Sequence, residues 1–322
     1  MISPAVLAQK SVNFTHHYVL ASMKKLLYFF IALSVFTACK KDTEIKDPYV
    51  GDIPPVPSNF GQNILIEQFT SSIAGQGPAA DLLLDSLQLQ YGDRFVGVNI
   101  HSGDLLQADD LTDTASSSNL LDEFFNVTGI YPSGMVNRTI SSSADLSPVN
   151  YSSKAAVVLG NAPRCGIAID ANEVRNGFLN LSVHVGFSSD LAGAYRLHAY
   201  LVENEFISGD SLYDQANEFS QNGTNPLPGS PFYSLPPMIN GYAYPQVLRK
   251  VINTGGTDGE TIPAASALRG KVHVKNYIVD VRNLNTDNYS VVVFVDKYST
   301  DPFTHRVENA RSAKVGTVAV WN

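Results

Sequence analysis

Two cysteines, Cys39 and Cys165, set the limits of thiol chemistry in this 322-residue chain. Cys39 closes the run MKKLLYFFIALSVFTAC, which begins at Met23. Two lysines, a short apolar core and small residues ahead of a cysteine are the pattern of a lipoprotein signal, and the chemistry is thioether formation with a diacylglyceryl group. The apolar stretch from Leu26 to Ala38 has the length of a signal core and falls short of the roughly 20 residues that span a bilayer. One departure is Phe36, where leucine is usual three residues before the cysteine. Residues 1–22 have no place in the signal, so Met23 is the expected start. Lipid chains bury at about 0.8 kcal/mol per methylene, so three chains on Cys39 would give lasting attachment.

The second place is the segment EQFTSSIAGQGP, residues 67–78. A strand ending in Phe69-Thr70, followed by a helix with Pro78 in its first turn, resembles thioredoxin-like proteins, in which this loop carries two cysteines that exchange disulfides. The first must be a thiolate acidified by the helix N-terminus, and the second resolves the mixed disulfide. Ala74 and Gly77 stand at those two positions, and Ile73 stands where an aromatic usually precedes them. Downstream, Ile130-Tyr131-Pro132-Ser133 is placed to face this loop, and Pro132 is the candidate cis-proline, since cis bonds are essentially confined to X-Pro. Order and spacing together resemble thioredoxin-like proteins. The resemblance implies that fold for the first domain, with both redox positions degenerate.

Cys165 alternates with Ile167 and Ile169, the pattern of a small buried hydrophobe in a strand. The alternative is a lone reactive thiol that traps a partner protein as a mixed disulfide. His184 and His198 fall in expected strands and read as structural residues. Asp104, Asp109, Asp110 and Asp113 lack the glycine and terminal glutamate of a calcium loop and read as a solvated loop. Asp170, Asn172 and Asn176-Gly177 read as a hairpin turn rather than a cation loop. Gly255–Gly259 has no lysine or following helix, so it is not a phosphate cradle. The bare helix start at Gly75–Gly77 is a minor candidate for an anion. No metal and no cofactor is expected.

The surrounding elements change character once. Strands are expected at 63–69, 94–100 and 133–137, and helices at 79–91, 119–127 and 148–159, an alternating α and β order. From Arg164 onward two-residue periodicity predicts strands at 165–171, 177–187, 194–204, 243–253, 271–281, 289–297 and 306–320, with turn signals at Asn176-Gly177 and Asp287-Asn288. Seven strands without helices point to a β-sandwich. The expected fold class is therefore α+β or α/β plus all-β. The expected organisation is a leader and signal at 1–38, a charged and proline-rich tether at 39–61, a redox-inactive thioredoxin-like domain at 62–161 and a β-sandwich domain at 162–322. Glu205–Tyr242, proline-rich at 226–237, reads as a long surface loop inside the sandwich.

The formal charge is −8, and loss of residues 1–38 removes Lys10, Lys24 and Lys25 but no acid, giving −11. An acidic chain without basic clusters argues against nucleic acid as a partner. The segments LIEQFT at 65–70, YGDRFVGVNIH at 91–101, YPSGMVNR at 131–138 and VLRK at 247–250 resemble the twenty-eight-kilodalton outer-membrane-protein family of Bacteroidetes lipoproteins (Omp28-related). That resemblance implies an outer-membrane lipid anchor, facing the periplasm or the cell surface, and an adhesin- or receptor-like role. Many relatives keep a Cys-x-x-Cys where this chain has none. The expectation is a non-catalytic binding protein for a protein or glycan ligand, with a thiol–disulfide role or a structural subunit of an outer-membrane complex as the alternatives.

Overall fold

The computed structural model describes residues 53–108, 121, 124–301 and 304–322. Cys39, the signal run, Asp109, Asp110, Asp113 and positions 119, 120, 122 and 123 of the expected helix at 119–127 lie outside the described residues. Strand β1 (Ile64–Thr70) is buried along its whole length and pairs in parallel with β2 (Phe95–His101), also buried throughout. Helix α1 (Gly77–Tyr91) makes the crossover, with Pro78 at its start, where a missing N–H costs nothing. Strand β3 (Ser133–Val136) runs antiparallel to β1, and helix α2 (Tyr151–Leu159) follows. One face of these strands buries Ile64, Ile66 and Phe95 against Leu84 and Leu87 of α1 and Tyr151, Ala155 and Val158 of α2.

Ten further strands follow: β4 (Cys165–Arg175), β5 (Phe178–Phe187), β6 (Tyr195–Phe206), β7 (Gln215–Ala216), β8 (Met238–Ile239), β9 (Tyr244–Val251), β10 (Glu260–Ile262), β11 (Val272–Asp280), β12 (Tyr289–Lys297) and β13 (Val307–Lys314), then the short β14 (Val318–Ala319). Asn176 (φ 54°) and Gly177 (φ 79°) both lie in the left-handed region, as a two-residue hairpin turn between β4 and β5 requires. One sheet has the order β13-β12-β6-β9-β2-β1-β3, with β10 also on β6, and a second has the order β11-β5-β4-β14. The two face each other across a core that includes Ile167, Val183, Leu197, Val291 and Val293.

The expected boundary at 161/162 falls in the connection between α2 and β4, but backbone pairing crosses it. Strand β9 joins β2 at Asn99–Val247, so the first sheet runs through both halves. The face of β1 and β2 turned away from the helices buries Leu65, Phe69 and Val98 with Tyr200, Val292 and Phe294 of β6 and β12. The two halves therefore share a core, and the described residues from 53 onward form a sheet-rich α+β body.

The end of the expected tether is packed rather than free. The Trp321 indole N–H donates to the Pro54 carbonyl at 2.7 Å. The ring of Phe60 lies flat on Gly166, so close that a Cβ there would sit inside its atoms, and Val56 and Phe60 approach the cross-strand neighbour Gly186.

Candidate functional site: the strand–helix loop and its cover

Residues Ser71–Gln76 leave the end of β1 and turn into α1. Gly77 N–H donates to the Ala74 carbonyl at 2.8 Å and Ala74 N–H to the Ser71 carbonyl at 2.9 Å, so the loop is a pair of tight turns. Pro132 follows a cis peptide bond from Tyr131. Ser133 pairs with Phe69, which sets Tyr131-Pro132 beside the point where β1 enters the loop. The structure thus brings Ala74, Gly77 and Pro132 to one end of one sheet, with no sulfur among them.

What lies over this loop differs from the expectation of a free surface loop at 205–242. Ala216 N–H donates to the Ser72 carbonyl at 2.7 Å, and Glu218 N–H donates to the Gly75 carbonyl at 3.1 Å. The Gln215 side-chain amide donates to the Ala74 carbonyl at 2.9 Å. Gln215, Asn217 and Ser220 are all buried. Asn217 and Ser220 in turn bond carbonyls of Phe232, Leu235 and Pro236, which ties the proline-rich stretch into the same cover. Ala74 retains 8% exposure and Gly77 is buried, while Ile73 between turn and solvent keeps 76%. A Cβ on Gly77 would come within 3.1 Å of the Gln215 amide nitrogen, and one on Gly75 within 2.9 Å of the Glu218 Cβ. Ala74 and Gly77 are covered while Ile73 and Gln76 of the same loop stay exposed, and the Gly75–Gly77 helix start lies against the Glu218 and Gln215 side chains.

Beneath the loop lies a polar network that the sequence did not disclose. The buried Asp81 of α1 accepts hydrogen bonds from Gln68 (2.9 Å), Asn99 (3.1 Å) and the Tyr242 hydroxyl (2.8 Å). Burial raises its carboxyl to about 6, partly countered by Tyr242 and by the nearby His101 and Asn99. Tyr242 belongs to the covering segment, so the cover is latched to α1 as well as to the loop. Asp104, read as part of a solvated acidic loop, is instead a structural acceptor. It bonds His101 Nδ1 at 2.8 Å and the N–H groups of Ser72 (2.6 Å) and Leu106 (2.8 Å). Burial pushes its carboxyl up, but these bonds outweigh burial and hold it below the ordinary value.

A second buried group ties the halves together. Arg138, fully buried after β3, grips Glu67 of β1 with two bonds (2.7 and 2.8 Å) and donates to Asp296 of β12 at 2.9 Å and to the Tyr200 hydroxyl at 3.2 Å. Its guanidinium lies between the rings of Phe125 (4.8 Å) and Phe294 (4.6 Å). His198 Nε2 stands 3.2 Å from Asp296, and burial lowers its pKa. The Asp296 carboxyl is held low: burial opposes this, and His198, His305 and Arg138 overcome it. The sequence signal for this cluster is an acidic residue directly after an apolar run, as in ILIEQFT and YSVVVFVDK. Cys165 lies wholly within the core between the two sheets, and burial pushes its thiol far above the range in which it ionises. His184 and His198 are buried in β5 and β6, as expected of structural residues.

A family model described as outer membrane protein Omp28 matches residues 118–319. The chain belongs to the Omp28 family. It is an outer-membrane protein on that evidence. No curated protein matches this Omp28-family chain. Among solved structures, HBP35 of Porphyromonas gingivalis superposes with a TM-score of 0.57 at 16% identity, covering 81% of this chain and 77% of that one, which shows a shared fold. A protein from Agrobacterium tumefaciens gives a TM-score of 0.47 at 12% identity over 81% of this chain and 95% of its own. A domain of the outer membrane lipoprotein Omp28 from Porphyromonas gingivalis gives 0.29 at 16% identity over 48% and 88%.

Proposed function

We propose that this Omp28-family protein is a lipid-anchored outer-membrane scaffold that binds a protein or glycan and catalyses no thiol exchange. In this reading a thioredoxin-like domain without its cysteines is fused to a β-sandwich, and Cys39 carries the lipid. The observation that carries it is the cover over Ala74 and Gly77. Ala74 and Gly77 stand where two sulfurs would be needed, and Gln215, Ala216 and Glu218 bond directly onto the loop backbone. The parallel β1–α1–β2 unit, the antiparallel β3 and the cis Pro132 beside the loop support the thioredoxin-like reading. The two facing sheets of the second half support the sandwich. Cys165 gives no alternative route, because a buried thiol of raised pKa is a poor nucleophile.

The surface that fits a ligand is a groove of about 1110 Å³ between β6, β9 and β12 of the first sheet and the β4–β5 turn with the segment after β11, lined in part by Phe206, Arg249, Lys250, Arg282 and Tyr289. Arg249 is fixed by Glu203 at 2.7 Å and stacks 5.0 Å over Phe206. A rigid guanidinium and carboxylate beside aromatic faces suit polar, ring- or amide-bearing ligands. Two assays on the purified full chain test the reading. Insulin-disulfide reduction should stay at background, and a glycan or peptide found by array screening should lose at least about tenfold in affinity on Arg249→Ala with the melting temperature unchanged. Thiol turnover above background, or binding indifferent to Arg249, overturns it.

A further inference from the structure

A second cleft, of about 550 Å³, shares no lining residue with the Arg249 groove. Neighbouring strands of the first sheet, from β13 through β12, β6 and β9 to β2, all contribute to its lining. Lys314, Ser290 and Val202 are successive cross-strand partners on β13, β12 and β6, so they share one face. The volume lies within the range of small-ligand sites, about 300–1,000 Å³.

Two polar side chains in this cleft lack a protein partner. Arg311 of β13 is half-buried, and its Nε is shut off from solvent without a hydrogen bond. No ion pair or hydrogen bond joins its guanidinium to any other described residue, and its terminal nitrogens are not among the enclosed atoms. Asp93 at the same cleft attracts it, yet burial prevails and lowers its pKa. Gln246 is the other. It sits inside β9 with φ 50°, a left-handed backbone that an L side chain adopts only at a cost. Its amide oxygen is pressed on Gly97 of β2, where a Cβ would overlap it, and makes no hydrogen bond. The amide nitrogen is left for the cleft. Native proteins keep few unpaired buried polar groups. Here a strained backbone and a bare glycine hold one beside an unpaired guanidinium.

From this donor set we infer that the cleft binds a hexuronic acid, a sugar ring carrying one carboxylate. Arg311 and Lys314 are positive and Asp93 is negative, and the lining holds no other charged residue, so one net positive charge is left. That matches a single carboxylate better than a phosphate dianion. The guanidinium grips the carboxylate, which is the planar acceptor its fork suits. The Gln246 amide N–H donates to a ring or hydroxyl oxygen. Asp93 accepts from ring hydroxyls, which a peptide C-terminus does not offer.

Titration calorimetry on the full chain in detergent tests this, with glucuronic acid, galacturonic acid, glucose, glucose 6-phosphate and acetyl-alanyl-alanine as probes. A uronic acid should bind at least about tenfold more tightly than each of the other three. Arg311→Gln should weaken it at least about tenfold with the melting temperature not lowered, because Arg311 leaves no protein partner behind. Gln246→Gly should also weaken it without loss of melting temperature, since glycine accepts the left-handed backbone. Arg249→Ala should leave uronic acid binding unchanged, which separates this cleft from the groove proposed above. Failure of both uronic acids to bind overturns the inference. So does equal binding of glucose 6-phosphate or the dipeptide, indifference to Arg311→Gln, or loss of binding on Arg249→Ala.

Discussion

Replacing Arg138 by methionine probes what joins the two halves. Methionine keeps much of the volume between Phe125 and Phe294 but removes the cation. Glu67 and Asp296, both with no solvent exposure, then lose three charge-assisted bonds of 2.7 to 2.9 Å and stay buried as anions. Removing one partner of a buried ion pair costs about 3–5 kcal/mol, mostly as the penalty on the charges left behind. At about 2–4 °C per kcal/mol for a body of this size, the melting temperature should fall by about 10 °C. The deficit carries a pH signature. A carboxyl stranded in the core has its folded-state pKa raised above the unfolded value, and such a group loses stability as pH rises. The gap between variant and wild type should therefore be widest in mild alkali and narrow in acid, and adding Glu67→Gln to Arg138→Met should recover part of it. Scanning calorimetry from pH 5 to pH 8 reads all three effects. A variant that melts within a degree or two of the wild type at every pH would refute the reasoning, because it would mean that Arg138 does not neutralise buried carboxylates.

Two further outcomes rest on separate parts of the fold. Asp81, raised to about 6 from 3.8, contributes stability that is complete below pH 3.8 and lost as pH rises through 6. The loss is about 3 kcal/mol, so Asp81→Asn should flatten that part of the wild-type pH profile in urea unfolding, while the depressed histidines His184, His198 and His273 act in the opposite sense in both proteins. Phe60→Ala removes the ring seated on Gly166, and limited proteolysis should then cut within residues 53–60 well before the body of the protein, whereas the wild type should resist there.

Much of the secondary structure was legible because period-two alternation is a local signal. The seven strands expected after Arg164 appear within a few residues of their expected bounds, with the last divided into β13 and β14 at the turn around Gly316. The expectation that Ala74 and Gly77 stand at degenerate redox positions rests on the resemblance of the segment from Phe69-Thr70 to Pro78 to thioredoxin-like proteins. The cover could not. Gln215, Asn217 and Ser220 carry no periodicity, and their burial depends on carbonyls of a loop far away in the chain. The shared sheet was hidden for a similar reason: β2 and β9 each read as strands, but nothing local says that they are neighbours. The ion cluster left a faint mark. Glu67, His198 and Asp296 are each a polar residue in an apolar strand, and three such interruptions imply partners without naming Arg138.

The central claim is that the loop which would carry redox chemistry is closed by the 205–242 segment. The direct measurement is the alkylation rate of a cysteine placed at position 74 and, separately, at position 73, in a full-length Cys39→Ser background where the buried Cys165 does not react. Ala74 is 8% exposed beneath Gln215, and Ile73 beside it is 76% exposed. Closure predicts that Ala74→Cys reacts at least about a hundredfold more slowly than Ile73→Cys, since reaction must wait for local opening, and that Gln215→Gly speeds it. Equal rates at the two positions would contradict the account.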